Sequence, residues 1–207
     1  RLLSSWYING GKDNSCKLEG LADRSRVFIF GIRKLHKQLT RFYKHKFDLF
    51  IVKKFFMQEA YIIAGFRTAV GKSKRGGFRF YRPDDLAVEV IKGLMATVPQ
   101  LEAKMVDDVI VGNAVPEAEQ GLQFGRIISA RALGFDAPGV TVNRYCASGL
   151  ETIAIATAKI RTGMASCIIA GGTESMSLVP TAGWKTVPSY SIAKDDPDYY
   201  LSMGLTA

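Results

Sequence analysis

From residue 57 onward, short apolar runs alternate with stretches of helical period, and no other feature of the sequence narrows the possible folds as much. Residues 60–64 read as a strand. Arg82-Pro83-Asp84-Asp85 then predicts a helix start with Asp84 as the capping residue, and Leu86, Ala87, Val90, Ile91 and Leu94 form one apolar face. Residues 107–111 are a second, buried strand, and residues 124–133 a helix closed by Gly134. Residues 140–143 give a third strand. Residues 147–162 are apolar nearly all round, with Leu150, Ile153, Ala154, Ile155, Ala158 and Ile160, which predicts a helix buried on most sides and closed by Gly163. Residues 167–170 are a fourth strand. This alternation predicts an α/β fold, with helices layered around a mostly parallel mixed sheet. From 171 to 207 the pattern thins into a loop-rich excursion carrying Gly183, Trp184, Pro188 and Pro197.

The formal charge of +9 would by itself invite nucleic acid or an anionic membrane as partner. Its location argues otherwise. Residues 1–56 hold 13 Lys or Arg against 4 Asp or Glu, whereas residues 57–207 hold 15 of each. The first methionine is Met57, so residues 1–56 are expected to be upstream sequence read in frame, a basic leader without native structure, and 57–207 the domain proper. Two rivals for the leader are a transit peptide, disfavoured by Asp13, Glu19, Asp23 and Asp48, and a nucleic-acid arm built on Arg33, Lys34, Lys37 and Arg41 with Phe42 and Tyr43. A charge run of this kind is more often a solvated stretch, so no nucleic-acid partner is expected. Cys16, Cys146 and Cys167 share no metal-ligand or disulfide spacing, which points to no metal site and a reducing, cytoplasmic location. No apolar run is long enough for a membrane span, and none is expected.

Cys146 is the residue whose position carries chemistry. It stands at the turn between the strand at 140–143 and the helix that follows, and small residues, Ala147, Ser148 and Gly149, flank it. The amides and positive dipole end of a helix start stabilise a thiolate, and the same N–H groups could receive an oxyanion. The competing reading is a buried structural cysteine, a common fate for this residue type. Cys167, in mid-strand between Ser166 and Ile168, reads as core filling.

Residues 142–150, Val-Asn-Arg-Tyr-Cys-Ala-Ser-Gly-Leu, resemble the nucleophile motif of thiolases, and further likenesses flank them in order. Residues 67–72, Arg-Thr-Ala-Val-Gly-Lys, resemble the family's N-terminal signature, with Ala69 where proline is usual. Residues 107–113 resemble its second strand, 170–177 its Gly-Gly-x-Glu-Ser-Met-Ser segment, and 203–207 the start of its Met-Gly-x-Thr-Ala-Glu motif. The resemblance covers 57–207, the N-terminal part of a thiolase-like fold. It implies a ping-pong acyl transfer in which Cys146 takes an acyl group from a 3-oxoacyl-CoA, releases acetyl-CoA and passes the acyl group to coenzyme A, or the reverse Claisen condensation, as in fatty-acid β-oxidation. Coenzyme A and acyl-CoA would be substrates, with no permanently bound cofactor and no cofactor-binding residue assigned. A homodimer or homotetramer is implied for the full-length enzyme. Residues 116–121 look more like the branch acting on longer 3-oxoacyl chains than like the acetoacetyl-specific one.

The family also needs a histidine base and a second cysteine from its C-terminal half. His36 and His45, both in the leader, match no motif, so this chain is expected to be inactive alone, and its uncovered apolar surface to favour aggregation. The alternatives are a ketoacyl-synthase-like condensing enzyme and a non-catalytic coenzyme A or lipid-binding module in which Cys146 is incidental.

Overall fold

The computed structural model describes the backbone of Ser5–Gly11 and residues 58–207 in full. Its strands are β1 (Ser5–Gly11), β2 (Ala60–Arg67), β3 (Asp108–Gly112), β4 (Gly139–Val142) and β5 (Cys167–Gly172). The long helices are α1 (Pro83–Thr97), α2 (Phe124–Leu133) and α3 (Ser148–Arg161), followed by two short ones, α4 (Tyr190–Asp195) and α5 (Met203–Thr206). One sheet results, in the order β2-β1-β5-β3-β4. β3 pairs in parallel with β4 and with β5, and β1 is antiparallel to both its neighbours, so β2 runs the same way as β5. The four co-directional strands are the largely parallel α/β sheet that the alternation predicts, and β1 makes the sheet mixed.

β1 lies within the leader expected to stay outside the fold. Its place between β2 and β5 comes from backbone pairing with both, Ser5 facing Arg67 on one side and Gly172 on the other. The rest of residues 1–56, with the basic aromatic stretch and the proposed translation start, lies outside the described residues.

Strand alternation divides the core into two layers. Val109 and Val111 of β3 with Cys167 and Ile169 of β5 point toward α1 and α2, where they meet Val90, Ile91, Leu94, Phe124 and Ile128. Ile110, Ile168 and Ala170 point the other way and pack on Ala156 and Ile160 of α3. Both layers follow from period-2 side chains on a sheet covered on each face.

Two local expectations are corrected. The N-cap of α1 is Arg82 and no side chain caps it; Pro83 takes the first helical position, where its missing N–H costs nothing. Asp84 is instead buried in the first turn, where Arg82 Nε (3.0 Å) and Arg131 Nη1 (2.9 Å) bind it, while Arg131 Nη2 reaches Asp85 (2.6 Å). One guanidinium thus ties α2 to the acidic start of α1. The second correction concerns α3, which is buried along a single stripe, Ser148, Thr152, Ala156 and Ile160, while Leu150 is 71% exposed and Ala154 and Ala158 are also open. The reason is size. The first turn of α3 rides on the backbone of Gly112, where a Cβ would come within 2.7 Å of the Ser148 carbonyl carbon, so only small side chains fit there, whereas Ile160 at the far end packs fully on the sheet.

Candidate active site

β3, β4 and β5 end together: Gly112 is in register with Val142 on one side and Gly172 on the other. The carboxyl ends of parallel strands are where open α/β sheets build binding sites. Three segments leave this edge side by side, 113–121 after β3, 143–147 after β4 and 173–179 after β5. Backbone bonds stitch them: Asn113 N–H donates to Val142 O (3.0 Å) and Thr173 N–H to Gly112 O (3.2 Å).

Cys146 lies in the middle segment, immediately before Ala147, the N-cap of α3, and it is exposed. The turn that carries it is tight. Tyr145 has φ 46°, a left-handed conformation that costs a non-glycine residue about 1 kcal/mol or more. Ser148 Oγ accepts from Arg144 N–H (2.8 Å) and donates to Tyr145 O (2.6 Å), so a buried hydroxyl closes the turn from below. Arg144 extends over the helix start to a two-pronged pair with Glu151, at 2.8 and 2.9 Å.

The amides next to the cysteine are not idle donors. Ala147 N–H is bonded to Arg144 O and Ser148 N–H to Tyr145 O, each at 3.0 Å. The expectation that helix-start amides beside Cys146 serve an oxyanion is therefore corrected for these two, because the turn itself uses them.

A buried polar cluster supports the edge. Glu174 accepts Ala114 N–H (2.7 Å) through one oxygen and Gln120 Nε2 (2.6 Å) through the other. Gln120, fully buried, also donates to Val115 O (2.7 Å) and accepts Ser175 N–H (2.5 Å). Burial pushes the Glu174 carboxyl up from its ordinary value, against the opposing pull of the Ala114 N–H and the Gln120 and Asn113 side chains. Asn113 Nδ2 donates to Thr173 O (2.9 Å), leaving its Oδ1 buried without a partner. The loop after residue 72 joins the same edge, as Ser73 Oγ donates to Met176 O and Lys74 N–H to Ser177 Oγ, both at 2.9 Å.

The model of the family described as "Thiolase, N-terminal domain" matches residues 60–206. The chain belongs to the thiolase family. A 3-ketoacyl-CoA thiolase of Bacillus subtilis (strain 168) is 49% identical over 152 residues, covering 73% of this chain and 39% of that protein. A second 3-ketoacyl-CoA thiolase, of Shewanella sp. (strain ANA-3), is 42% identical over 125 residues, 60% of this chain and 32% of that protein. The crystal structure of the Bacillus anthracis acetyl-CoA acetyltransferase is similar over 52% of this chain and 27% of that one, with 29% identity and a TM-score of 0.48. The chain thus spans less than half the length of the curated thiolases it matches.

Within this thiolase domain the quoted motifs at 67–72, 107–113, 142–150 and 170–177 lead into one strand edge. Residues 203–207 do not join them: α5 is exposed and its hydrogen bonds stay within its own turn. Cys167 is buried at 3% exposure. His36 and His45 lie outside the described residues. Among the described residues no group of three or more His, Cys, Asp or Glu could hold a metal ion, and no helix is long and apolar enough to cross a membrane. Sequence reading assigned no role to Asn143, Gln120 or Glu174. Asn143 had a legible signal, since an Asn two residues before a turn amide forms an Asx turn, and its Oδ1 does accept Tyr145 N–H (2.8 Å).

Proposed function

We propose that this chain is the acyl-accepting part of a thiolase that cleaves 3-oxoacyl-CoA, with Cys146 as the residue acylated. The observation that supports it is an exposed cysteine on a strained turn, at the joint carboxyl edge of three parallel strands, inside the matched thiolase region. The sulfur of Cys146 adds to the C3 carbonyl carbon, and the C2–C3 bond breaks. Its electron pair stays on C2, which takes a proton and leaves as acetyl-CoA. The thiolate of a second coenzyme A then displaces the shortened acyl group from Cys146. Condensation is the same path reversed.

The thiol must lose a proton and C2 must gain one, and the family resemblance assigns both transfers to a histidine and a cysteine of the C-terminal half. Acid–base assistance is typically worth 10²- to 10⁴-fold per group. The chain alone therefore does not turn over. Coenzyme A and acyl-CoA act as substrates, with no resident cofactor or metal, and the site of action is the cytoplasm. The exposed apolar side of α3, with Leu150 beside Ala154 and Ala158, supports a homodimer or homotetramer of the longer protein. Longer 3-oxoacyl chains are the preferred substrates, on the likeness at 116–121.

Incubating the purified chain with acetyl-CoA tests the reading. The expected product is a slow single acetyl adduct that peptide mapping places on Cys146, with no measurable thiolysis of acetoacetyl-CoA. An adduct absent at Cys146, or thiolysis within roughly a hundredfold of a complete thiolase, overturns it.

A further inference from the structure

We infer that Glu174 and Asn143 are positioning residues for Cys146, joined to it by one line of hydrogen bonds that crosses from β5 to β4 through the loop after β3. The inference rests on the reading of Cys146 as the acylated residue, but its geometry is independent of the substrate. The Glu174 carboxylate accepts Ala114 N–H (2.7 Å), Ala114 O accepts Asn143 Nδ2 (3.0 Å), and Asn143 Oδ1 accepts Tyr145 N–H (2.8 Å). The last donor belongs to the residue directly before Cys146, and that residue holds the left-handed angle.

Each link serves the next. A half-buried carboxylate, itself fixed by Gln120, holds Ala114 through its N–H, and the Val115 N–H, which shares a peptide plane with the Ala114 carbonyl, is also directed at Glu174. An oriented Ala114 carbonyl fixes the amide of Asn143, which must present oxygen, not nitrogen, toward Tyr145. That bond opposes relaxation of Tyr145 to the common negative φ, and relaxation would swing the Cys146 Cα–Cβ bond away from the strand edge. Ser148 holds the far side of the same turn through its bonds to Arg144 N–H and Tyr145 O. Among the described residues, the Asn143–Ala114 bond is thus the hydrogen bond that ties the turn's outer side to the loop after β3.

Two substitutions separate this line from a purely local turn. Asn143→Asp keeps an acceptor for Tyr145 N–H and loses the donor to Ala114 O, while Glu174→Gln keeps one acceptor and loses the other. The measurement is iodoacetamide alkylation of Cys146 in the full chain, followed by peptide mass from pH 6 to pH 10, with the melting temperature recorded alongside. Each variant is expected to change the neutral-pH rate by about fivefold, the worth of one net hydrogen bond, and to displace the pH–rate profile in the same direction. The double variant is expected to match the stronger single one, because both cut the same line. Tyr145→Gly, which takes the left-handed angle without strain at an exposed position, is expected to fold and to reduce the Asn143→Asp effect to less than half. Wild-type profiles in the variants, whatever their melting temperatures, overturn the inference. So do additive effects, or an Asn143→Asp effect undiminished by Tyr145→Gly. Loss of the acetyl adduct in the unmodified chain would instead sink the functional reading and leave these profiles standing.

Discussion

Gly112 lies against the first turn of α3 while the side-chain direction of Gly149 opens into free space, and substituting alanine at each should give opposite results. A Cβ on Gly112 would lie 2.7 Å from the Ser148 carbonyl carbon, 2.8 Å from Ser148 O and 3.0 Å from Gly149 N. All three are backbone atoms of the first turn of α3, so no flexible side chain can give way. Ordinary carbon contacts lie near 3.5–4.0 Å, so the helix start must retreat by about 1 Å. Overpacking of this kind costs about 1–3 kcal/mol, which lowers the melting temperature of a domain this size by roughly 2–12 °C. The retreat also carries Ser148 away from Arg144 and Tyr145 and loosens the turn that holds Cys146. At Gly149 a Cβ meets nothing within 4 Å, and helix propensity makes alanine there neutral or stabilising by up to about 1 kcal/mol. Thermal unfolding by circular dichroism, with the native alkylation rate of Cys146 measured on the same samples, decides the matter. Equal melting temperatures for Gly112→Ala and Gly149→Ala would refute the close-approach reasoning.

Other outcomes follow from the described contacts. Arg131→Ala strands a buried Asp84 with only the half-exposed Arg82 for company and should cost about 1–3 kcal/mol in urea unfolding; Arg131→Lys should recover less than half, since one ammonium cannot serve both Asp84 and Asp85. No loss in the alanine variant would contradict the tie between helices. Burial holds the Glu174 carboxyl above its unfolded value near 4.5, so folding takes up a proton there: its contribution is complete below that value and declines as pH rises through the folded one. The stability difference between the wild type and Glu174→Gln should therefore shrink from pH 4.5 upward, and parallel urea midpoints across pH would argue against it. Under native conditions iodoacetamide should modify Cys146 but not Cys167 until urea unfolds the chain, as seen by peptide mapping. Leu150→Ser should leave the unfolding free energy within about 0.5 kcal/mol of unchanged while reducing light scattering at high concentration.

How far the sequence spoke depended on the kind of signal. β3 and β5 were legible because buried parallel strands read as unbroken β-branched runs, and Cys167 fell into the core with them. α1 and α2 were legible from apolar period and from the glycine after α2, whose φ of 99° closes the helix. The burial of α3 was misjudged because period counts apolar residues and not their sizes, and here the approach to Gly112 selects small ones. Asp84 was taken for a cap because Pro83 can stand either before a helix or as its first residue, and only the backbone decides. β1 was missed because charge balance describes a whole segment, whereas seven residues were chosen by pairing with two strands far along the chain. The Asx turn of Asn143 was open to local reading, but the cluster of Glu174 with Gln120 and Ala114 was out of reach for the same reason as β1: its partners meet only when three strands end level.

The antiparallel placement of β1 also sets an order of events during synthesis. β1 can pair with β2 soon after both emerge, but its other rim has to wait for β5, which follows all three long helices in the chain. In that interval a row of unsatisfied amides and carbonyls stands open at the centre of the future sheet. A neighbouring nascent copy carries the same β5, so crowded refolding should yield strand-exchanged dimers, and dilution should suppress them.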